Sequence, residues 1–162
     1  SLRIYGCHQE DVRTIDLAVS RVLFNEARIG LQTTAGYEML QNNANKLKNE
    51  FLEFLITQKR KGKLVVGYGA AAKGNTLINY AGVKHDLIRC VLDGAEAKQG
   101  MYLPGSHIPV VDPKHYDWST VDSVIIFPWN ISDEIATLIR NKFSSKARLY
   151  IFVPKFQELG VD

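Results

Sequence analysis

The chain has 162 residues, the length of one ordinary domain. Its composition, 46% hydrophobic and 23% charged, is that of a folded globular protein and excludes a disordered or collagen-like chain. The formal net charge of +3 is small and dispersed, so no nucleic-acid partner is predicted.

Residues 1–62 are predicted to form a short strand followed by helices. Residues 3–6 alternate as a strand does, and over residues 11–30 the apolar side chains recur at helical spacing. Gly30 is placed to end that helix. A second, longer helix is predicted over 35–62, and its apolar stripe needs a partner. The first helix is the economical partner, and a neighbouring domain outside this sequence would serve equally well.

Residues 63–153 are predicted to form a Rossmann-like layer. After Lys63 the apolar residues come in short runs without polar alternation, typical of strands covered on both faces. Strands that alternate with helices indicate βαβ units, so the predicted fold class is α/β with a mostly parallel, doubly wound sheet. The predicted strands are 64–68, 87–92, 108–111, 123–127 and 148–153, and the predicted helices are 73–80 and 131–143.

Cysteine usage and hydropathy indicate the kind of protein and its compartment. Cys7 and Cys90 are far apart, and the sequence has no CxxC pair, so neither a metal site nor a disulfide framework is predicted. No apolar run reaches the roughly 18–20 residues of a membrane span, so a soluble, cytoplasmic protein without a membrane partner is expected. The sequence opens at Ser1, already in a predicted strand, which suggests a piece of a longer protein.

The most informative motif is the glycine-rich turn GYGAAAKGNT, residues 67–76, where a predicted strand gives way to a helix. Its start fits G-x-G-x-x-A, in which glycines allow a tight turn and the helix N-terminus offers amide groups to a phosphate. Lys73 would add a full positive charge. The predicted ligand-binding residues of the turn are Gly67, Gly69, Ala70, Ala71, Ala72, Lys73 and Asn75.

Asp93 ends the next predicted strand about 20 residues further on, where Rossmann proteins bind ribose hydroxyls. Together the turn and this carboxylate favour a nucleotide or dinucleotide ligand. The alternative is that the small residues only let helix and strand pack closely, and that Asp93 merely starts a loop. A Walker A loop fits less well, because Lys73 precedes Gly74 where that motif needs glycine and then lysine.

Two further loops follow predicted strands at the carboxyl edge, where open α/β sheets bind ligands. They supply His107, Trp129 and Asn130 to the predicted ligand-binding set. Trp129 would act as a hydrophobic lid, and Asn130 as a helix N-cap, a ligand contact, or both. His107, beside a Pro-Gly turn, is more typical of a structural hydrogen-bonding group than of a base. No catalytic residue is predicted, because no Ser/His/Asp or Cys/His arrangement is readable.

Three runs carry a family resemblance: GKLVVGYGAAAKGNTLINYAGV, then VLD with AKQGMYLPGSHIPV, then VIIFPWNISDEI. In this order they resemble the C-terminal domain of the SAM-dependent C-methyltransferases that modify nucleotide-linked deoxysugars. The likeness extends upstream through residues 1–5, which are similar to the segment joining that domain to the methyltransferase core. Relatives have Asp-Asn-Pro after the second strand where this chain has Asp93-Gly94-Ala95, so the ligand contacts of that loop are expected to differ.

The resemblance implies an enzyme of three parts: a zinc-binding N-terminal domain, a SAM-binding middle domain, and this Rossmann-like C-terminal domain, which helps hold the nucleotide-sugar. A base in the middle domain removes a proton beside the sugar ketone, and the enolate attacks the SAM methyl group. The family's base, zinc ligands and SAM loop are not found in this sequence. The chain is therefore expected to bind a nucleotide diphosphate-sugar and its own SAM-binding domain, and to be inactive alone.

Two alternatives remain open from the residues. A free-standing NAD(P)-binding Rossmann module would have the same sequence around residues 67–72. The second alternative is a Rossmann layer that has lost its ligand and only supports a catalytic domain.

Overall fold

The computed structural model describes residues 2–143 and 145–160. The chain divides into two compact units, 1–42 and 43–162, and one long helix contributes residues to both. The predicted start of the first strand, Ser1, lies outside the described residues. No helix among the described residues is long and apolar enough to cross a membrane.

In the first unit, helix α1 spans Leu17–Arg28 and begins later than predicted, because the Asp16 carboxylate accepts a hydrogen bond from Ala18 N–H at 2.7 Å and caps it. Gly30 follows α1 with φ +79°, the left-handed conformation expected after a helix end. The strand predicted at residues 3–6 is wrong. Those residues form neither helix nor strand, and none of the described strands pairs with them.

A single 3-10 turn, Thr34–Tyr37, leads into helix α2, Glu38–Arg60. In the second half of α2, Phe51 and Leu55 are fully buried in one cluster with residues of the sheet. The ring of Phe54 lies 4.6 Å, centroid to centroid, from the ring of Tyr150. The sheet is therefore a partner of this half of α2, and it was not among the partners expected from the sequence.

The second unit contains a six-stranded sheet of order β3-β2-β1-β4-β5-β6. Every neighbouring pair is parallel except β5 and β6, which confirms the α/β class and the mostly parallel sheet. The short edge strand β6 was not predicted, because Gln-Glu-Leu has no apolar run to mark it. The strands are β1 Val65–Tyr68, β2 Val91–Leu92, β3 Val110–Val111, β4 Ser123–Ile126, β5 Arg148–Ile151 and β6 Gln157–Leu159.

Helices cover both faces of this sheet. Helix α3, Ala72–Tyr80, joins β1 to β2 and buries Ile78 on the same face as α2. Helix α4, Ser132–Phe143, joins β4 to β5 and buries Ile135 and Ile139 on the opposite face. Successive strand residues point to opposite faces, so two covering layers explain why β1 and β4 are apolar throughout. Further 3-10 turns span Glu96–Lys98, Trp118–Thr120 and Trp129–Ile131.

Candidate functional site

The strand order reverses beside β1. From β1 the chain moves outward to β2 and β3, then returns to place β4 on the other side of β1. In open α/β sheets such a reversal creates a crevice at the carboxyl ends of the two central strands, where ligands bind. We name this the β1/β4 crevice; it is bordered by residues 69–73 after β1 and residues 128–130 after β4. The fold thus brings the predicted turn and the predicted Trp129–Asn130 loop together.

Close packing accounts for three glycines of the turn. A Cβ at Gly67 or Gly74 would lie 2.5 Å from a ring carbon of Phe127, and one at Gly69 would lie 2.5 Å from the ring of Pro128. Gly69 also has φ +89°, which other residues adopt at a cost. Each of the three glycines therefore has a structural role at the junction of β1, α3 and β4.

Asp93 is engaged inside the protein. Its carboxylate accepts hydrogen bonds from Ala70 N–H at 2.7 Å, from Ala95 N–H at 2.8 Å and from Lys98 Nζ at 3.1 Å, and its side chain is only 11% exposed. Lys98 Nζ also donates to the Ala70 carbonyl at 3.0 Å. Asp93 and Lys98 together hold the glycine-rich turn against the loop after β2.

The charge on Asp93 also acts on the neighbouring strand. Burial raises the pKa of the Tyr68 phenol, and the negative charge of Asp93 raises it further. Lys98 was missed by the sequence reasoning. Its contact with Ala70 joins residues 28 positions apart, and no spacing rule encodes such a contact.

Hydrogen bonds show which amides of the turn remain available. Ala70 N–H is donated to Asp93, and Ala71 N–H turns back to the Gly69 carbonyl at 2.8 Å. The amides of Ala72 and Lys73 open helix α3, where no carbonyl of the preceding turn can accept them. Both residues are exposed, and within the described residues neither amide has a hydrogen-bond acceptor. The N–H groups that can meet an anion are therefore those of Ala72 and Lys73, not those of Ala70 and Ala71.

Three polar or aromatic side chains border the crevice: the ammonium of Lys73, the indole of Trp129 and the amide of Asn130. Lys73 Nζ lies 5.2 Å from the centroid of the Trp129 ring, a cation–π distance, and makes no ion pair with any described carboxylate. Trp129 is half-buried and Asn130 is exposed. The Oδ1 atom of Asn75, on the first turns of α3, is buried without a hydrogen-bond partner in the described part of the chain.

Asn130 is not the N-cap of α4. It is the middle residue of the 3-10 turn Trp129–Ile131, which Ile131 N–H closes by donating to the Pro128 carbonyl at 3.0 Å. Helix α4 begins only at Ser132. The extra turn moves the helix start one residue along the chain, from 131 to 132, and leaves Asn130 beside the crevice.

His107 is placed apart from the other predicted site residues. It precedes β3 and borders a groove with Arg89 and Cys90, which precede β2. In a parallel sheet these positions lie at the amino edge, opposite the edge that carries the glycine-rich turn. The structure therefore does not bring His107 to the β1/β4 crevice.

Comparison with known proteins gives two findings. The family model described as the C-methyltransferase C-terminal domain matches residues 1–154. The chain is also 28% identical over 145 residues to the C-methyltransferase NovU of Streptomyces niveus, an alignment that covers 90% of this chain and 34% of NovU. The chain thus spans about a third of the length of this relative. Because the family model covers nearly the whole sequence, the chain belongs to the C-methyltransferase C-terminal domain family.

Proposed function

We propose that this domain holds the diphosphate of a nucleotide-linked sugar in the β1/β4 crevice, while a SAM-binding part of the same polypeptide methylates the sugar on carbon. The observation that carries the proposal is the exposed start of α3 at the strand-order reversal. There the unpaired amides of Ala72 and Lys73 and the Lys73 ammonium converge on one edge of the sheet.

The physical basis is anion recognition at a helix N-terminus. Unpaired amides and the helix dipole favour negative charge there, and a lysine adds a mobile point charge suited to a phosphate. Lys73 already lies over the Trp129 ring, so this indole is placed to offer an aromatic surface beside the phosphate. Family membership supports the class of reaction, and the crevice supports the anionic part of the substrate.

The state of Asp93 argues against a nicotinamide cofactor or SAM in this domain. A Rossmann site binds ribose hydroxyls with a carboxylate at the end of the second strand. Here that carboxylate accepts from two backbone amides and a lysine, and its side chain is nearly buried. The residues present therefore do not fit a ribose-binding role, and we assign SAM to another part of the protein.

A second candidate function is structural support without a ligand. The packing of Gly67, Gly69 and Gly74 against Phe127 and Pro128 favours it, since their presence is explained without any phosphate. It gives no role to the Lys73 ammonium, which lies at the strand-order reversal without a described carboxylate partner.

Calorimetric titration of the 162-residue chain with a TDP-sugar, NADH and SAM, each alone, separates these functions. Our proposal predicts heat of binding for the TDP-sugar that Lys73→Ala weakens, and no heat that depends on Lys73 for the other two ligands. Binding of NADH that depends on Lys73 would favour the free-standing Rossmann module, and binding of no ligand would favour structural support.

Lys73→Ala is the first prediction. Loss of one charge-assisted phosphate contact costs about 1.5–3 kcal/mol, so the affinity for the TDP-sugar should fall by about 10–100-fold and become less sensitive to salt. Binding persists because the backbone amides remain. The matched control is Lys61→Ala, which removes an exposed lysine just beyond α2 and should leave affinity unchanged. Equal affinities of the two variants would place the phosphate elsewhere.

A further inference from the structure

A groove of about 510 Å³ is lined mainly by residues that precede β2 and β3, together with Val111 at the end of β3 and Tyr116 beyond it. We name it the amino-edge groove, and the proposed diphosphate site does not include it. Its volume is within the usual range for small-molecule sites. The side chains that define its chemistry are His85, Arg89, Cys90, Tyr102, His107 and Tyr116.

One wall is a hairpin, residues 102–109, that is held in place from outside the groove. Its two sides are joined by an isolated antiparallel bridge between Tyr102 and Pro109 and by the bond from Leu103 N–H to the Ile108 carbonyl at 2.9 Å. Asn79 Nδ2 donates to the Pro104 carbonyl at 2.9 Å, and Lys84 Nζ donates to the Gly105 carbonyl at 2.6 Å. These anchors leave little freedom in the wall, so a ligand would meet a surface that is already formed.

The hairpin presents two rings to the groove. The rings of Tyr102 and His107 lie 6.1 Å apart, centroid to centroid, and are tilted by 35°. His107 has φ +58°, the only non-glycine residue with a positive φ among those described. Such backbone strain costs about 1–2 kcal/mol and clusters at ligand sites. This strained backbone supports, from geometry alone, a binding role for the hairpin.

The lining of the groove includes a cation, Arg89, and no carboxylate. The backbone N–H of Arg89 donates a hydrogen bond to the Val65 carbonyl at 3.0 Å. The guanidinium of Arg89 forms no ion pair with a described carboxylate. No aspartate or glutamate lines the groove. Burial raises the pKa of both the Cys90 thiol and the Tyr116 phenol, and the charge of Arg89 opposes each rise. Two carboxylates outside the lining act on its residues: Asp117 on Tyr116 and Asp86 on His85.

We propose that the amino-edge groove binds a planar aromatic ligand that carries an anionic group. Tyr102 and Tyr116 supply ring faces for the aromatic part, and offset stacking on such rings is favourable. Arg89 supplies the fork of donors that suits a phosphate or a carboxylate, with His85 and His107 as further donors. Because the groove and the β1/β4 crevice lie at opposite edges of the sheet, the two ligands do not compete.

The test titrates the 162-residue chain with uridine 5′-monophosphate, 4-hydroxybenzoate, uridine and inorganic phosphate. The ring-proton NMR signals of His85 and His107 report binding. The proposal predicts saturable shifts with at least one of the two aromatic anions, and at least about tenfold weaker binding of uridine and phosphate. Tighter binding of uridine 5′-monophosphate would indicate recognition of a phosphate, and tighter binding of 4-hydroxybenzoate would indicate recognition of a carboxylate. Absence of shifts with both aromatic anions, or phosphate alone binding as tightly, would overturn the proposal.

Two variants test the assignment of residues. Arg89→Gln should weaken the better aromatic anion by about tenfold or more, and the matched control Lys61→Gln should not. Unchanged affinity in Arg89→Gln would overturn the proposal. If Arg89→Gln perturbs the fold, Tyr102→Leu gives a second test, because it removes a ring whose side chain is largely exposed and should weaken the aromatic probes only. Lys73→Ala should leave these shifts unchanged, so failure here and failure of the diphosphate site are distinguishable.

Discussion

Asp93 shows how a residue at the expected position of a ligand-binding carboxylate can serve the protein itself. Its carboxylate accepts from the Ala70 and Ala95 amides and from Lys98, and thereby fixes the turn that opens α3. A carboxylate is acceptor-only, so it satisfies three donors without a proton of its own. The position of Lys73 at the crevice therefore depends on Asp93 through the turn.

We predict that Asp93→Asn lowers the free energy of unfolding by about 1–3 kcal/mol, because the amide NH₂ would face a donor and leave it unsatisfied in a nearly buried place. Urea denaturation measures the loss. The control is Asp86→Asn, which breaks an ion pair to Lys59 in which both side chains are more than half exposed, and should cost under about 1 kcal/mol. Equal losses in the two variants would show that Asp93 does not brace the turn.

At the scale of elements, β1, α3 and β4 pack closely at their junction because Gly67, Gly69 and Gly74 have no side chains. Gly74→Ala would normally favour a helix by about 1 kcal/mol. Here the added Cβ would lie 2.5 Å from Cγ of Phe127, so we predict a net loss of about 1–3 kcal/mol in the free energy of unfolding. Gly94→Ala, whose Cβ would meet nothing within 4 Å, is the control and should be near neutral. The prediction fails if Gly74→Ala is neutral or stabilising.

Helix α2 offers a prediction with a control on the same element. Leu55 is fully buried in the core cluster of the sheet, and Leu40 is 64% exposed. Leu55→Ala should lower the free energy of unfolding by about 2–5 kcal/mol, and Leu40→Ala should change it by less than about 0.5 kcal/mol. Thermal or urea unfolding compares them. Similar losses would contradict the assignment of the second half of α2 to the core of the sheet.

Local pattern was enough to predict most elements, because burial on one or both faces leaves a period in the sequence. The strands from β1 to β5 and the helices α3 and α4 were found in order, with ends shifted by up to four residues. The strand at residues 3–6 failed, since alternation alone cannot show whether a partner strand exists. Strand β6 was missed because it is held at the edge of the sheet by backbone pairing with β5, which leaves no apolar pattern in the sequence.

The candidate site was harder to predict than the fold. Strand-to-helix context predicted that the turn and the Trp129 loop each follow a strand at the carboxyl edge, and in the structure Lys73 lies over the Trp129 ring. The hydrogen bonds of Asp93 and the extra turn at Asn130 are tertiary features that no spacing rule carries. His107 was grouped with the turn because both lie in loops around the same strands. Strand direction places them at opposite edges, because the glycine-rich turn follows β1 whereas His107 precedes β3.

At the scale of the molecule, the chain spans about a third of NovU and belongs to a family of C-terminal domains. Its described core lies in residues 43–162, which contain both the β1/β4 crevice and the amino-edge groove. One sheet therefore carries two chemically different edges. The carboxyl edge offers amides and a lysine, and the amino edge offers aromatic rings and an arginine.

The most direct test of the central claim is an amide NMR titration of the chain with a TDP-sugar. Our account predicts that saturable shifts fall on the amides of Ala72 and Lys73 and on the indole N–H of Trp129. Shifts confined to the amino-edge groove, or no saturable shift at the start of α3, would contradict the account.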